Sequence, residues 1–284
     1  MRRALLALGV LLVAPAAWAG AWTRDAGSYY FKVGFDVYGA GNFAAAGRIA
    51  AVGQSYFARQ LNLYGEVGVL PQWPVQVSVS LPAMTSGTLY QGKIHIPASG
   101  PRATVVRPGD LQVQVQAALS KKAPIALAVQ AKVPLYQNGK IGLDYGTSYK
   151  DLFPLPGDGQ VDLTGWFLAG ASLKGAPLWN DFGVGYRHRT EWFIGWDTNA
   201  TVVDGIPFYD TFGASLGKWT PMLRVDGIVN LKKDVYTREN VALGPAVMFD
   251  VHDGVALEAR LSGDLWAHDA SRGLGGEIGI SVRR

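Results

Sequence analysis

A chain of 284 residues with 49% apolar residues, only 17% charged ones, 36 glycines and no cysteine is neither composed like a disordered segment nor able to be a disulfide-stapled module. The missing cysteine also excludes anchoring through a lipidated cysteine. The formal charge of +4 would fall to about +2 if Arg2 and Arg3 left with a leader, too little to argue for a nucleic-acid partner.

The chain opens with Met1-Arg2-Arg3, an apolar run from Ala4 to about Ala14, and Ala17-Trp18-Ala19 before Gly20. That is the three-part pattern of a secretory signal peptide. The apolar run is shorter than the roughly 20 residues a spanning helix needs. Residues 1–19 are therefore expected to be a cleaved leader, and residues 20–284 a single domain. No later segment is long and apolar enough for a membrane helix, so any membrane would be crossed by strands.

From Tyr29 the side chains alternate. Tyr29, Phe31, Val33, Phe35 and Val37 share one face, and Tyr30, Lys32, Gly34, Asp36 and Tyr38 the other, the period of a strand that is wet on one side. The same period places Leu61, Leu63, Val67 and Val69 against Gln60, Asn62, Tyr64 and Glu66, and Leu111, Val113 and Val115 against Gln112, Gln114 and Gln116. Further strands are predicted near 75–84, 125–135, 159–173, 179–189, 206–216, 221–231, 241–251, 255–265 and 273–283, about 12 in all.

Connections near 71–74, 120–124, 174–178, 217–220 and 252–254 are tight and rich in turn residues. Those near 39–53, 85–108, 136–158, 190–205, 232–240 and 266–272 are longer. Such alternation is what short periplasmic turns and long outer loops of an up-and-down barrel produce, and an even strand number puts both termini on the periplasmic side. Trp73, Trp179 and Trp219 at short turns, with Trp192, Trp196 and Trp266 at long-loop ends, are expected to form two interfacial girdles. Only Trp166 lies clearly mid-strand. The fold class expected is all-β: a transmembrane up-and-down antiparallel β-barrel in the outer membrane of a Gram-negative cell. Closure matters because backbone groups in lipid must be paired internally.

Several pieces resemble the outer-membrane barrel family named for the meta-pathway of phenol degradation. They are Leu61-Asn62-Leu63-Tyr64-Gly65-Glu66-Val67-Gly68 with its Pro71–Pro74 turn, Gly109-Asp110-Leu111-Gln112-Val113, Ala131-Lys132-Val133-Pro134-Leu135, and Leu155-Pro156-Gly157-Asp158-Gly159-Gln160-Val161-Asp162. The resemblance implies a transporter-like barrel for small hydrophobic or aromatic molecules. The chain departs from many outer-membrane barrels at its end, Val282-Arg283-Arg284, which lacks a terminal aromatic residue.

With the apolar faces on lipid, the other faces line a lumen. They carry Lys32, Asp36, Gln60, Glu66, Gln112, Gln114, Gln116, Gln130, Lys132, Asp162, Arg187, Arg189, Arg224, Asp226, Glu258, Arg260, Asp264 and Glu277. Nearly balanced signs predict cross-strand ion pairs rather than a ring of one charge. Arg187, Arg189, Arg224, Asp226, Glu258 and Arg260 are the candidate solute-contacting residues. About 12 strands give a lumen between that of filled 8-stranded barrels and that of open porins. Apolar loop residues (Ile94, Ile96, Pro97 and Val105-Val106 in one loop, Tyr145, Tyr149 and Leu152 to Pro156 in another) either plug it, gather a greasy ligand, or pack over its mouth.

The function expected is passage of small, hydrophobic or aromatic solutes, with outer-membrane lipid as the main partner and the oligomeric state left open. Two alternatives remain: a rim enzyme acting on lipid or peptide, whose candidates are His95, His188 and a His268 flanked by Asp264 and Asp269 and followed by Ser271, and a structural barrel whose lumen is plugged. No catalytic set is assigned, because a Ser–His–Asp set is recognised by geometry and not by nearness in sequence. No cofactor or metal is expected: Asp250, His252 and Asp253 lack a ligand spacing, and Gly157-Asp158-Gly159 lacks the helix of a phosphate loop.

Overall fold

The computed structural model describes residues 21–40, 44–45, 48–49, 54–91, 102–137, 157, 159–193, 203–232, 239–268 and 272–284. Twelve antiparallel strands close into a barrel. They are β1 (Tyr29–Ala40), β2 (Gln54–Gly68), β3 (Val75–Gln91), β4 (Arg102–Arg107 continuing as Asp110–Ala118), β5 (Ile125–Pro134), β6 (Gln160–Ser172), β7 (Leu178–Phe193), β8 (Gly205–Ala214), β9 (Trp219–Asn230), β10 (Glu239–His252), β11 (Val255–His268) and β12 (Gly273–Arg283). Each pairs with its chain neighbours, and β1 pairs with β12 from Tyr30↔Arg283 to Ala40↔Gly273. The ring is sealed where Tyr29 and Arg284 exchange amide-to-carbonyl bonds of 3.0 Å, which sets the two ends of the barrel side by side at its short-turn end.

Burial is inverted relative to a water-soluble protein. The most fully buried large side chains are Gln116, Gln160, Asp162 and Ser281, whereas Val129 and Leu261 are each 64% exposed and Ile278 is 66% exposed. A soluble sheet buries its apolar face, because removing apolar area from water is the main driving force of folding. Here the apolar face points outward all the way round, so the solvent it suits is hydrocarbon.

The strands run longer than their amphipathic stretches. β3 and β4 continue beyond the apolar band as the paired segments Thr85–Tyr90 and Arg102–Arg107, so Val105-Val106 lies in a strand and not in a loop. Ser86, Gly87 and Thr88 carry no hydrophobic alternation, which hid this extension. The break in β4 falls at Pro108-Gly109. Pro108 has no N–H to give, and the Gly109 amide bonds the Pro82 carbonyl at 2.8 Å, beside a register shift in the β2–β3 ladder. Ile94, Ile96, Pro97, Tyr145, Tyr149, Leu152 to Pro156 and Trp196 lie outside the described residues.

The tryptophan expectation holds in part. Trp73 and Trp219 are exposed at the short-turn end, and Trp192 and Trp266 toward the long-loop end. Trp179 instead points inward and is 9% exposed, its ring seated where a Cβ on Gly213 would fall 2.2 Å from it. Strand parity, and not proximity to a turn, decides which way a ring faces. The closest backbone approach is at Gly244 in β10, where a Cβ would lie 1.7 Å from the Leu261 carbonyl oxygen. Gly244→Ala is therefore expected to cost about 1–3 kcal/mol, read as a lower urea midpoint for loss of the compact band in unheated detergent gels.

Candidate functional site

The barrel interior sorts into two charged networks and a strap. The first network lies on β9, β11, β12 and β1. Arg260 donates to Asp226 Oδ1 at 2.6 Å, and Arg224 Nε reaches the same oxygen at 3.0 Å. Small inward residues on the intervening β10, Ala242, Gly244 and Ala246, leave room for this reach. Arg224 also stacks over the Tyr209 ring at 4.6 Å. Arg260 stands opposite Glu277 in the β11–β12 register. Lys32 Nζ meets Glu258 at 3.0 Å and also pairs with Glu277, and the Tyr30 hydroxyl donates to Glu258 at 2.6 Å.

Of the predicted solute-contacting residues, Arg224, Asp226, Glu258 and Arg260 thus belong to one network. Asp36 accepts from Asn62 and Asp264 from Tyr38, extending it along the β1 side. Cross-strand pairing, as expected from the balanced signs, is what the interior shows.

The second network is at the long-loop end, on β4 to β7. Asp162, 1% exposed, lies 2.8 Å from Lys132 Nζ and 3.3 Å from Arg189 Nε. Lys132 also faces Asp110 at 3.9 Å, and the Tyr136 hydroxyl donates to Asp110 at 2.8 Å while accepting the Gly159 amide at 3.0 Å. Arg189 belongs here, and Arg187 stands opposite Thr164 and Gly205. Toward the short-turn end of the same β4–β5 wall the lining is of amides. Gln130 donates to Gln112 at 3.1 Å and Gln114 to Gln116 at 3.3 Å.

Pattern reading missed the strap. Residues Ala21 to Ala26 cross the interior at the short-turn end. Ala26 bridges to Gly68. The Arg24 amide donates to Gln76 Oε1 at 3.0 Å, its guanidinium to Glu66 Oε2 at 2.6 Å, and it lies 5.2 Å from the centre of the Tyr30 ring. Trp22 fills the slot left by Gly170, where a Cβ would come 2.4 Å from the ring. Ala21 ends in an apolar nest of Ala126, Ala128 and Leu168, flanked by Trp166 and Tyr209, and its amide donates to Asp181 Oδ1 at 3.0 Å. The sequence held one signal, an arginine and a tryptophan two residues apart in a stretch without strand alternation.

At the outer rim of β7, Asp204 accepts from the Tyr186 hydroxyl and the Arg189 amide and lies 3.2 Å from His188 Nδ1. Loss of hydration works against its charge, yet the hydrogen bonds from Tyr186, Arg189 and His188 hold its carboxyl below the ordinary range. His188 is thereby tied to a surface contact. His95, Asp269 and Ser271 lie outside the described residues, as does the side chain of His268. Arg59 is exposed on the outward face and stacks on Phe57 at 5.0 Å.

A closed ring of strands, apolar outside and charged within, defines a transmembrane β-barrel. No protein-family model matches the chain, and no curated protein matches it in sequence. Its backbone is similar to that of an outer-membrane channel from Pseudomonas putida F1, with a TM-score of 0.66 at 10% identity over 96% of this chain and 100% of that one. It is also similar to the β domain of the Bordetella autotransporter Brka, with a TM-score of 0.51 at 10% identity over 92% and 100% of the two chains. At such identities the likeness is one of fold.

The Asp226 bridge yields a direct expectation. Asp226→Ala releases Arg224 and Arg260 from their shared acceptor, so the mid-lumen gains positive field and bilayer currents should shift toward anion selectivity. An unchanged reversal potential in a salt gradient would show that ions do not pass this network.

Proposed function

We propose that the protein is exported by a cleaved leader, residues 1–19, to the outer membrane, where it passes small, hydrophobic or aromatic solutes without catalysing a reaction. The observation that carries the membrane reading is the inverted burial, with Asp162 and Gln116 inside and Val129, Leu261 and Ile278 outside. The nest of Leu168, Trp166 and Tyr209 is filled by Ala21 of the strap, so the solute class rests on likeness to known barrels. That likeness is the resemblance to the phenol-degradation barrel family and the fold shared with an outer-membrane channel. Arg187, Arg189, Arg224, Asp226, Glu258 and Arg260 would then act as polar walls that a solute passes.

A plugged structural barrel is the second reading, favoured by the strap across the short-turn mouth. Proteoliposomes separate the two. A channel should admit phenol-sized aromatic solutes faster than protein-free vesicles do, and a structural barrel should add no flux. Release of fatty acid from phospholipid by purified protein, abolished in His188→Ala, would instead favour an enzyme.

A further inference from the structure

We propose that a second copy of this chain docks side by side in the membrane on the outer wall formed by β6 to β9, each copy's Asn180 meeting the other's Asp210. The inference goes beyond solute passage and rests only on the membrane reading. Trp179, Asp181 and Thr211 are buried inside the barrel, while Phe182 and Phe212 beside them stand outward. Strand alternation therefore turns Asn180 and Asp210 toward lipid. There the Asn180 amide donates to Asp210 Oδ1 and, at 3.3 Å, to the Thr211 carbonyl. Asp210 lies four residues before the end of β8 at Ala214. With a rise of about 3.3 Å per residue and a tilt near 45°, it sits on the order of 10 Å inside the short-turn rim. Among the described strand residues it is the one carboxyl that faces outward within the apolar band.

A carboxyl against hydrocarbon is costly, and ionisable groups within membrane segments turn to protein and to polar partners. Asn180 supplies one bond, and among the described residues Asp210 forms no ion pair. Donor and acceptor stand side by side on neighbouring strands, so the patch is self-complementary. A two-fold axis along the membrane normal, between β7 and β8, brings Asn180 of one copy to Asp210 of the other, and the reverse. The N–H now spent on the long bond to the Thr211 carbonyl is the one free to cross. Shape follows the same symmetry. The registers align Ala171, Asn180, Phe212 and Leu223 across β6 to β9, with Ala169 opposite Phe182. The axis lays the small alanines of β6 against Phe212 and Leu223 of the other copy, and small residues with polar contacts are what join proteins inside a bilayer.

The test begins with cell fractionation. A chain missing from the outer membrane sinks the membrane reading and the dimer with it, whereas a chain found there leaves the dimer to be judged alone. The chain has no cysteine, so a single one reports cleanly. Two copies of Phe182→Cys, one enlarged by a tag, are expressed together and treated in intact outer membranes with a short bis-maleimide. A cross-linked band of mixed size is expected several-fold above that from Ile278→Cys, which is equally open to lipid on β12 at the far side of the ring. Adding Asn180→Leu or Asp210→Leu should cut the band several-fold, and Asp210→Asn, which still hydrogen-bonds an amide, should keep most of it. Equal cross-linking at the two cysteine positions, adducts to a different protein in place of the second copy, or a band unmoved by both leucine variants overturns the proposal. Should the leucine variants fail to give a heat-modifiable barrel, the comparison of Phe182→Cys with Ile278→Cys decides it.

Discussion

Asp162→Ala is expected to be the most damaging single substitution inside the barrel, lowering stability by about 3–5 kcal/mol. Asp162 is 1% exposed and holds Lys132 at 2.8 Å and Arg189 at 3.3 Å. Arg189 is itself 6% exposed. Removing the carboxylate takes away the acceptor that the two cations share, with little water to replace it, while Asp110 stays 3.9 Å from Lys132. Equilibrium urea unfolding in detergent, followed by band migration, measures the loss. Asp162→Asn should be intermediate, since it keeps hydrogen-bond acceptance and loses charge. A loss below about 1 kcal/mol for alanine, the range of exposed ion pairs, would mean that water hydrates this network in the membrane.

Among single substitutions, Arg24→Ala should produce the largest change in flux. Arg24 fastens the strap at Glu66, and its guanidinium lies over the Tyr30 ring. Its removal also strands Glu66, 5% exposed, which then draws water into the strap's bed. Planar-bilayer conductance is expected to rise several-fold over wild type, with the barrel still heat-modifiable. Deleting residues 21–26 should raise it further, because Trp22 and its seat on Gly170 are lost as well. Equal conductance in wild type, Arg24→Ala and the deletion would place the limiting constriction elsewhere.

Much of the fold was legible because membrane strands write two environments into alternate residues. β1 shows it plainly: Phe31 and Phe35 stand outward at 44% and 41% exposure while Lys32 pairs inward. The order of short and long connections then gave the strand count and the shared side of the termini. Where the alternation lapsed, so did the reading. The outer part of β3 runs through Thr85, Ser86, Gly87 and Thr88 and pairs with the short Arg102–Arg107 segment of β4, and Trp179 faces inward by strand parity although it adjoins a turn.

The candidate site was legible by membership and not by partnership. Balanced charge on the inward face predicted pairing, but not that Asp226 would join Arg224 to Arg260 across β10, or that Arg189 would go to a separate network with Asp162. The strap was invisible, since its bonds to Glu66, Gln76 and Asp181 span 42, 52 and 160 residues.

The amino-acid order alone settled that the fold is all-β, its strands greasy on one face and charged on the other, because a two-residue period is local and repeats within each of them. Only closure of the ring decided which inward charges meet, which aromatic ring fills which glycine slot, and what lies across the short-turn mouth. Those depend on curvature and register around twelve strands, quantities to which each residue contributes and which no short stretch contains.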